Sequence, residues 1–138
     1  QYTYGIKVAS GVDVSISDNT ITAVGQRYIY GIATYAQDIS GNTINVTSTN
    51  NDSYYLYGIN SQGTTLGTQI STNDISVHGE SGNIYGIYCQ AATMNNNEIN
   101  VSLDLQGSFG SVFGLHNIYY PMDIINNSFY IILLIFLK

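Results

Sequence analysis

An aromatic-Gly-aliphatic triplet returns five times along the chain: YGI at 4–6, 30–32, 57–59 and 85–87, and FGL at 113–115. The glycines, Gly5, Gly31, Gly58, Gly86 and Gly114, are separated by 26, 27, 28 and 28 residues. A fixed period between about 20 and 50 residues is the signature of a repeat architecture. Each repeat is then one small unit that buries its apolar face only against its neighbours, so the chain must stack.

A second pattern, aliphatic-x-x-Asn-x-aliphatic, is phased with the first. It reads ISDNTI (16–21), ISGNTI (39–44), ISTNDI (70–75), MNNNEI (94–99) and, with Phe closing it, IINNSF (124–129). Its asparagines are Asn19, Asn42, Asn73, Asn97 and Asn127, at steps of 23, 31, 24 and 30. The anchors persist while the intervals between them vary, as expected for loops hung on a fixed scaffold.

Strand patterns flank both anchors. Val12, Val14 and Ile16 alternate with Asp13 and Ser15, and Ile99, Val101, Leu103 and Leu105 alternate with Asn100, Ser102 and Asp104. Period-2 alternation predicts strands with one apolar face. No window carries a 3.6 period with helix caps, so no helix is expected.

The asparagine suits a sharp bend between two strands, where one residue must leave the β region; Asn tolerates the left-handed conformation unusually well. In-register stacking would also place Asn19, Asn42, Asn73, Asn97 and Asn127 above one another. Their amides could then donate and accept along the column, as in the amide ladders of stacked sheets. In the YGI element the post-Gly aliphatics are expected inside. The orientation of the column Tyr4, Tyr30, Tyr57, Tyr85 and Phe113 stays open, because Ile29, Leu56, Ile84 and Val112, one residue earlier, are apolar too. A bend at Gly would restore the phase.

Strand, bend, strand, loop and strand in about 27 residues make one coil of a parallel β-helix. The ISxNxI-type segments and the YGI triplets resemble the right-handed parallel β-helix repeat of the pectate-lyase-like superfamily, and are most similar to adhesin-like β-helix proteins of archaeal and bacterial cell surfaces. The resemblance implies an all-β solenoid of about five coils over residues 1–131, roughly 24 Å tall at ~4.8 Å per coil. It also implies an extracellular or cell-surface location. A longer parent array is expected too, because the repeat starts at once from Gln1 without a capping segment.

Charged residues make up only 9% of the chain, with a net charge of −6 and three cations. Nucleic-acid backbones require clustered cations, so that class of partner is excluded. A hydrophobic content of 44%, including thirteen tyrosines, argues for a packed fold rather than disorder. Cys89 is the only cysteine, so no intrachain disulfide forms. It is expected to be a buried free thiol. Sequons occur at Asn45, Asn51, Asn100 and Asn126, acceptors only in a secreted, glycosylated protein.

Enzymes of the resembled superfamily use carboxylates to bind calcium or as acid and base. Here Asp13, Asp18, Asp38, Asp52, Asp74, Glu80, Glu98, Asp104 and Asp123 are scattered, and no D-x-D pair occurs. His78 and His116 lack zinc or triad spacing and are expected on the surface or in loops. No catalytic residue, metal ligand or cofactor is therefore assigned. Tyr2, Tyr28 and Tyr55, two residues before their YGI tyrosines, would stack in a partial column, with Asn83 and Ser111 in the later coils. Tyr28 and Tyr55 are the candidate glycan-facing residues; the connectors Thr47–Ser53 and Gly107–Gly110 are further contact surfaces.

Residues 132–138 form an apolar tail. The run FYIILLIFL (129–137) is too short to span a bilayer as a helix, which takes about 20 residues. It fits a truncated membrane anchor, a frame artefact or a last strand that caps the core. The expected function is a non-catalytic, adhesin-like stalk or display surface contacting glycans or host and neighbour cell surfaces. The alternatives are a piece of a β-helix polysaccharide lyase, hydrolase or epimerase, and a purely structural spacer.

Overall fold

The computed structural model describes residues 1–9, 14–49, 54–62, 68–90, 92–105, 109–117 and 122–135. The expected strand start at Val12 and Asp13, the sequon at Asn51, Asp52, residues 50–53 and 107–108 of the two connectors and residues 136–138 lie outside them. The described residues hold fifteen strands and no helix.

The chain is a parallel β-solenoid of about four turns. Its strands fall into three sheets, five strands each, and every strand pairs with the one three places along. The first sheet contains β1 (Tyr2–Lys7), β4 (Tyr28–Thr34), β7 (Tyr55–Ser61), β10 (Gly82–Cys89) and β13 (Gly110–Asn117). The second contains β2 (Ser15–Ser17), β5 (Asp38–Ser40), β8 (Thr68–Ser71), β11 (Ala92–Asn95) and β14 (Asp123–Ile125). The third contains β3 (Thr20–Gly25), β6 (Thr43–Ser48), β9 (Asp74–Gly79), β12 (Glu98–Leu105) and β15 (Ser128–Ile135).

The core is a set of columns. Ile16, Ile39, Ile70, Met94 and Ile124 are register partners in the second sheet. Ile21, Ile44, Ile75, Ile99 and Phe129 are partners in the third. Both sets come from the aliphatics that bracket the repeated Asn. Most of these side chains are fully buried, Ile39, Ile44, Ile70, Ile75 and Ile99 among them, each contributing roughly 1.5–3 kcal/mol of apolar burial.

The first sheet closes the core differently. Ile29 points inward, Tyr30 outward, and then Gly31 and Ile32 both inward: Ile32 is fully buried, and a Cβ on Gly31 would run into Ile44 and Val46 of the core. The alternation therefore slips by one residue at the glycine, which puts both the pre-Tyr and the post-Gly aliphatics inside. Only glycine fits here. A Cβ on Gly31 would also lie 2.6 Å from the Gly58 carbonyl oxygen of the next rung. Cys89 continues the inward column of Thr34 and Ser61; it is fully buried, and burial pushes its thiol pKa up to about 11.

Two residues join the second sheet to the third at every bend, and the left-handed conformation falls on the first of them. Asp18, Gly41, Thr72, Asn96 and Asn126 have φ of 56°, 64°, 53°, 53° and 52°. The sequence reading placed that conformation on the repeated Asn itself. The Asn is instead the second bend residue, and its side chain turns into the stack. Thr72 is the costly case, since a β-branched residue is strained at positive φ. Its hydroxyl donates to Ser71 O (2.7 Å) and accepts from Gly41 N (3.2 Å), which ties the bend to the preceding rung.

The two ends differ. Ile16 and Ile21 of the first rung are each 5% exposed, and Val8 and Val14 pack against the core cluster. Their counterparts in the last rung, Ile124 and Phe129, are 49% and 39% exposed. β15 takes in the described part of the apolar tail and pairs with β12 over its whole length, from Ser128 opposite Glu98 to Ile135 opposite Leu105. Residues 132–135 thus continue the third sheet without a break.

Candidate functional site: the aromatic face of the first sheet

The five asparagines form one continuous hydrogen-bonded column. Asn19 donates to Asn42 Oδ1 through both its backbone N and its Nδ2, each at 3.0 Å. Asn42 does the same to Asn73 (3.0 and 3.0 Å), Asn73 to Asn97 (3.0 and 2.9 Å) and Asn97 to Asn127 (3.0 and 2.8 Å). The second amide proton reaches back to a second-sheet carbonyl: Asn42 to Ile16 O, Asn73 to Ile39 O and Asn97 to Ile70 O, all 2.8 Å. Asn42, Asn73 and Asn97 are buried, so nothing from solvent can reach their amides. The column is scaffold.

The outer face of the first sheet is the part that can meet a ligand. Tyr4, Tyr30, Tyr57, Tyr85 and Phe113 point outward and stack ring on ring, with centroids 4.9, 4.9, 5.0 and 4.9 Å apart. Tyr2, Tyr28 and Tyr55 form the partial second column, with centroids 4.8 and 5.8 Å apart, and their register continues to Asn83 and Ser111. Tyr54 joins it, 5.6 Å from Tyr28.

Two features of this face lie outside the repeated triplet. Tyr88 and His116 stack at 5.2 Å in a third column and meet the main column edge-on. His116 is thus a strand residue within the aromatic face, and His78 lies in β9 with Nδ1 2.9 Å from Ser102 Oγ; neither lies in a loop. The two cations of the coils also rest on rings: Lys7 Nζ is 4.4 Å from the Tyr4 centroid and Arg27 Cζ 5.7 Å from that of Tyr54. Register arithmetic alone would have found Tyr88 and His116, since both stand three residues after their column aromatic, Tyr85 and Phe113.

Stacking along the solenoid axis has a chemical consequence. Within each column the ring faces cover one another, so Tyr28, stacked between Tyr2 and Tyr55, offers its edge and hydroxyl outward rather than an open face. The result is a comb of phenols at the ~4.8 Å rung spacing. Burial also holds the inner members protonated. The Tyr30 hydroxyl is pushed up to about 12, first by desolvation and then by Tyr4, Tyr2 and Tyr28; Tyr57 and Tyr85 are raised too, again chiefly by desolvation.

The carboxylates are arranged otherwise. Asp74 and Glu98 are direct register partners on the outer face of the third sheet. Asp38 accepts from Ser15 Oγ (2.9 Å) and Ser40 Oγ (3.1 Å) on the second. Among the described residues no three His, Cys, Asp or Glu side chains cluster as metal ligands, and no helix is long and apolar enough to cross a membrane. In comparison with known proteins, the chain matches no family model, no curated protein and no solved structure.

Proposed function

We propose that this solenoid is a non-catalytic, adhesin-like segment of a cell-surface protein, a rigid rod whose first sheet displays a contact surface for glycans or neighbouring cell surfaces. The phenol comb carries this reading. It is a broad, fixed array of hydroxyls with apolar edges between them, chemistry that matches the hydroxyls and C–H faces of sugars. Preorganised aromatic side chains with two χ angles lose little entropy on binding. The resemblance of the YGI and ISxNxI motifs to adhesin-like repeats, an expectation from the sequence alone, points the same way.

The Asp74–Glu98 pair is the one observation that favours a polysaccharide-active enzyme fragment. It is a weak basis. Glycoside hydrolysis needs two carboxyls that flank the scissile bond, whereas these two stand side by side in one column on an exposed face. A spacer without ligands is the third reading.

The test is affinity electrophoresis of the chain through gels that contain neutral and acidic polysaccharides, with product analysis on the same mixtures. At least one polysaccharide is expected to retard it, and Tyr28→Ala with Tyr55→Ala to weaken that retardation about fivefold, near 1 kcal/mol for lost hydroxyl contacts. Release of shortened or unsaturated products would replace the adhesin reading with the enzyme one. Unaltered mobility in every gel would leave the spacer.

A further inference from the structure

A groove of about 230 Å³ opens beside the main aromatic column, where the first sheet runs toward the second. It exists because of one small residue. Lys7, Ala33 and Asn60 are successive register partners in the outward column next to the tyrosines. Ala33 leaves a gap between the two longer side chains. Tyr4 and Tyr30 border the gap on one side, and Tyr35 and Gln62 on the other.

Asn60 makes this groove more than a surface dent. It is 5% exposed, and its Oδ1 is buried without a hydrogen-bond partner. A buried acceptor left unpaired is costly, and such an orphan calls for an explanation. The χ2 torsion of Asn is soft, so a small rotation turns that oxygen toward a donor in the groove. At the other end Lys7 supplies donors only, held in place over the Tyr4 ring. Tyr35 Oη and Gln62 Oε1 lie 3.4 Å apart at the rim, a long contact that a competing hydroxyl could open.

We propose that this groove is a subsite for a single terminal sugar ring, a deepening that rests on the glycan-contact reading above. The volume sets the size: it falls below the roughly 300–1,000 Å³ of sites for drug-sized ligands, so one ring enters and an internal stretch of polymer does not. The polar groups set the chemistry. A ring hydroxyl donates to Asn60 Oδ1, another ring oxygen accepts from the Lys7 ammonium, and a further hydroxyl exchanges with the Tyr35–Gln62 pair. The edges of Tyr4 and Tyr30 meet the ring carbons. The phenol comb would hold the rest of a glycan, while the groove reads its end.

The experiment titrates the full chain with methyl glycosides of glucose, galactose, mannose and N-acetylglucosamine, followed residue by residue through amide chemical shifts. At least one glycoside is expected to give saturable shifts at Ala33, Asn60 and Gln62. Ala33→Leu, which fills the gap, and Asn60→Ala, which removes the acceptor, should each weaken that binding tenfold or more. Asn60→Ala should leave the unfolding midpoint unchanged or raised, because it deletes an unpaired buried oxygen; a purely structural Asn60 would lower it. No saturable shift from any glycoside, or shifts that survive Ala33→Leu, would overturn the subsite. Polysaccharide retardation without a monosaccharide response would sink the subsite alone. Failure of both assays would sink the glycan reading with it.

Discussion

Asn73 serves two neighbouring rungs at once. Its Oδ1 accepts from the backbone N and Nδ2 of Asn42, and its Nδ2 donates to Asn97 Oδ1 and to Ile39 O. Asn73→Ala would strand donors of Asn42 and a carbonyl of Ile39 in a buried site. An unsatisfied buried group costs about 1–3 kcal/mol, so a loss of about 3 kcal/mol or more is expected from the shift in denaturation midpoint. Asn19→Ala, at the half-buried end of the column, should cost only about 1 kcal/mol. Equal losses at the two positions would mean the column does not act through burial. The column itself was legible in the sequence, since five asparagines in phase with a second repeat have few other uses. The left-handed residue was assigned one position too late. Asp18, Gly41, Asn96 and Asn126 already carry the residue types that accept positive φ. Thr72 hid the pattern, because its strain is offset by hydrogen bonds no sequence rule anticipates. A parallel case is Gly58, where a Cβ would run into Ile75 and lie 2.5 Å from the Gly86 carbonyl oxygen. Overpacking against backbone cannot relax cheaply, so Gly58→Ala should cost about 3 kcal/mol, measured in the same way.

At the scale of the strand, the aromatic columns are the element most changed by seeing the fold. Period-2 reasoning left the tyrosines between inside and outside because apolar residues stand on both sides of them. The one-residue slip at glycine resolves this, and such a slip depends on how the first sheet meets the third, which no single strand encodes. Once outward, the rings stack, and stacking withdraws Tyr30, Tyr57 and Tyr85 from water. Their pKa values then rise above that of a free phenol. The sign follows directly. A folded-state pKa above the unfolded value stabilises the fold fully below about pH 10, and that contribution is lost as pH rises toward the folded value, about 12 for Tyr30. A spectrophotometric titration should therefore show Tyr30, Tyr57 and Tyr85 ionising above the free-phenol range, together with loss of the β circular-dichroism signal. A single phenolate transition near pH 10 with the fold intact would contradict the stacked column.

At the scale of the whole molecule, a solenoid is as stable as its ends allow, because each rung is held only by its neighbours. The inward column of the third sheet runs from Ala23 in the first rung, at 2% exposure, to Ile131 in the last, at 53%. The sequence showed the apolar run at 129–137 and left three origins for it; residues 129–135 of that run pair with β12 in the third sheet. That strand carries two apolar rows. Phe129, Ile131 and Leu133 continue the core columns of Ile99, Val101 and Leu103, while Tyr130, Ile132 and Leu134 stand opposite the polar outer positions Asn100, Ser102 and Asp104. A long, flat, apolar edge strand is a template for association with another chain. Only the outer row can be altered without touching the core. Ile132→Lys with Leu134→Lys should therefore keep the denaturation midpoint within about 0.5 kcal/mol, the usual range for surface changes, and strongly reduce concentration-dependent light scattering. The inward substitution Ile131→Lys should lower stability by destroying the last rung, and amide exchange should then rise first in β15 and β12. If the double outer variant scatters as strongly as the parent, association runs through the open core columns rather than the strand edge, and Ile131→Lys becomes the change that abolishes it.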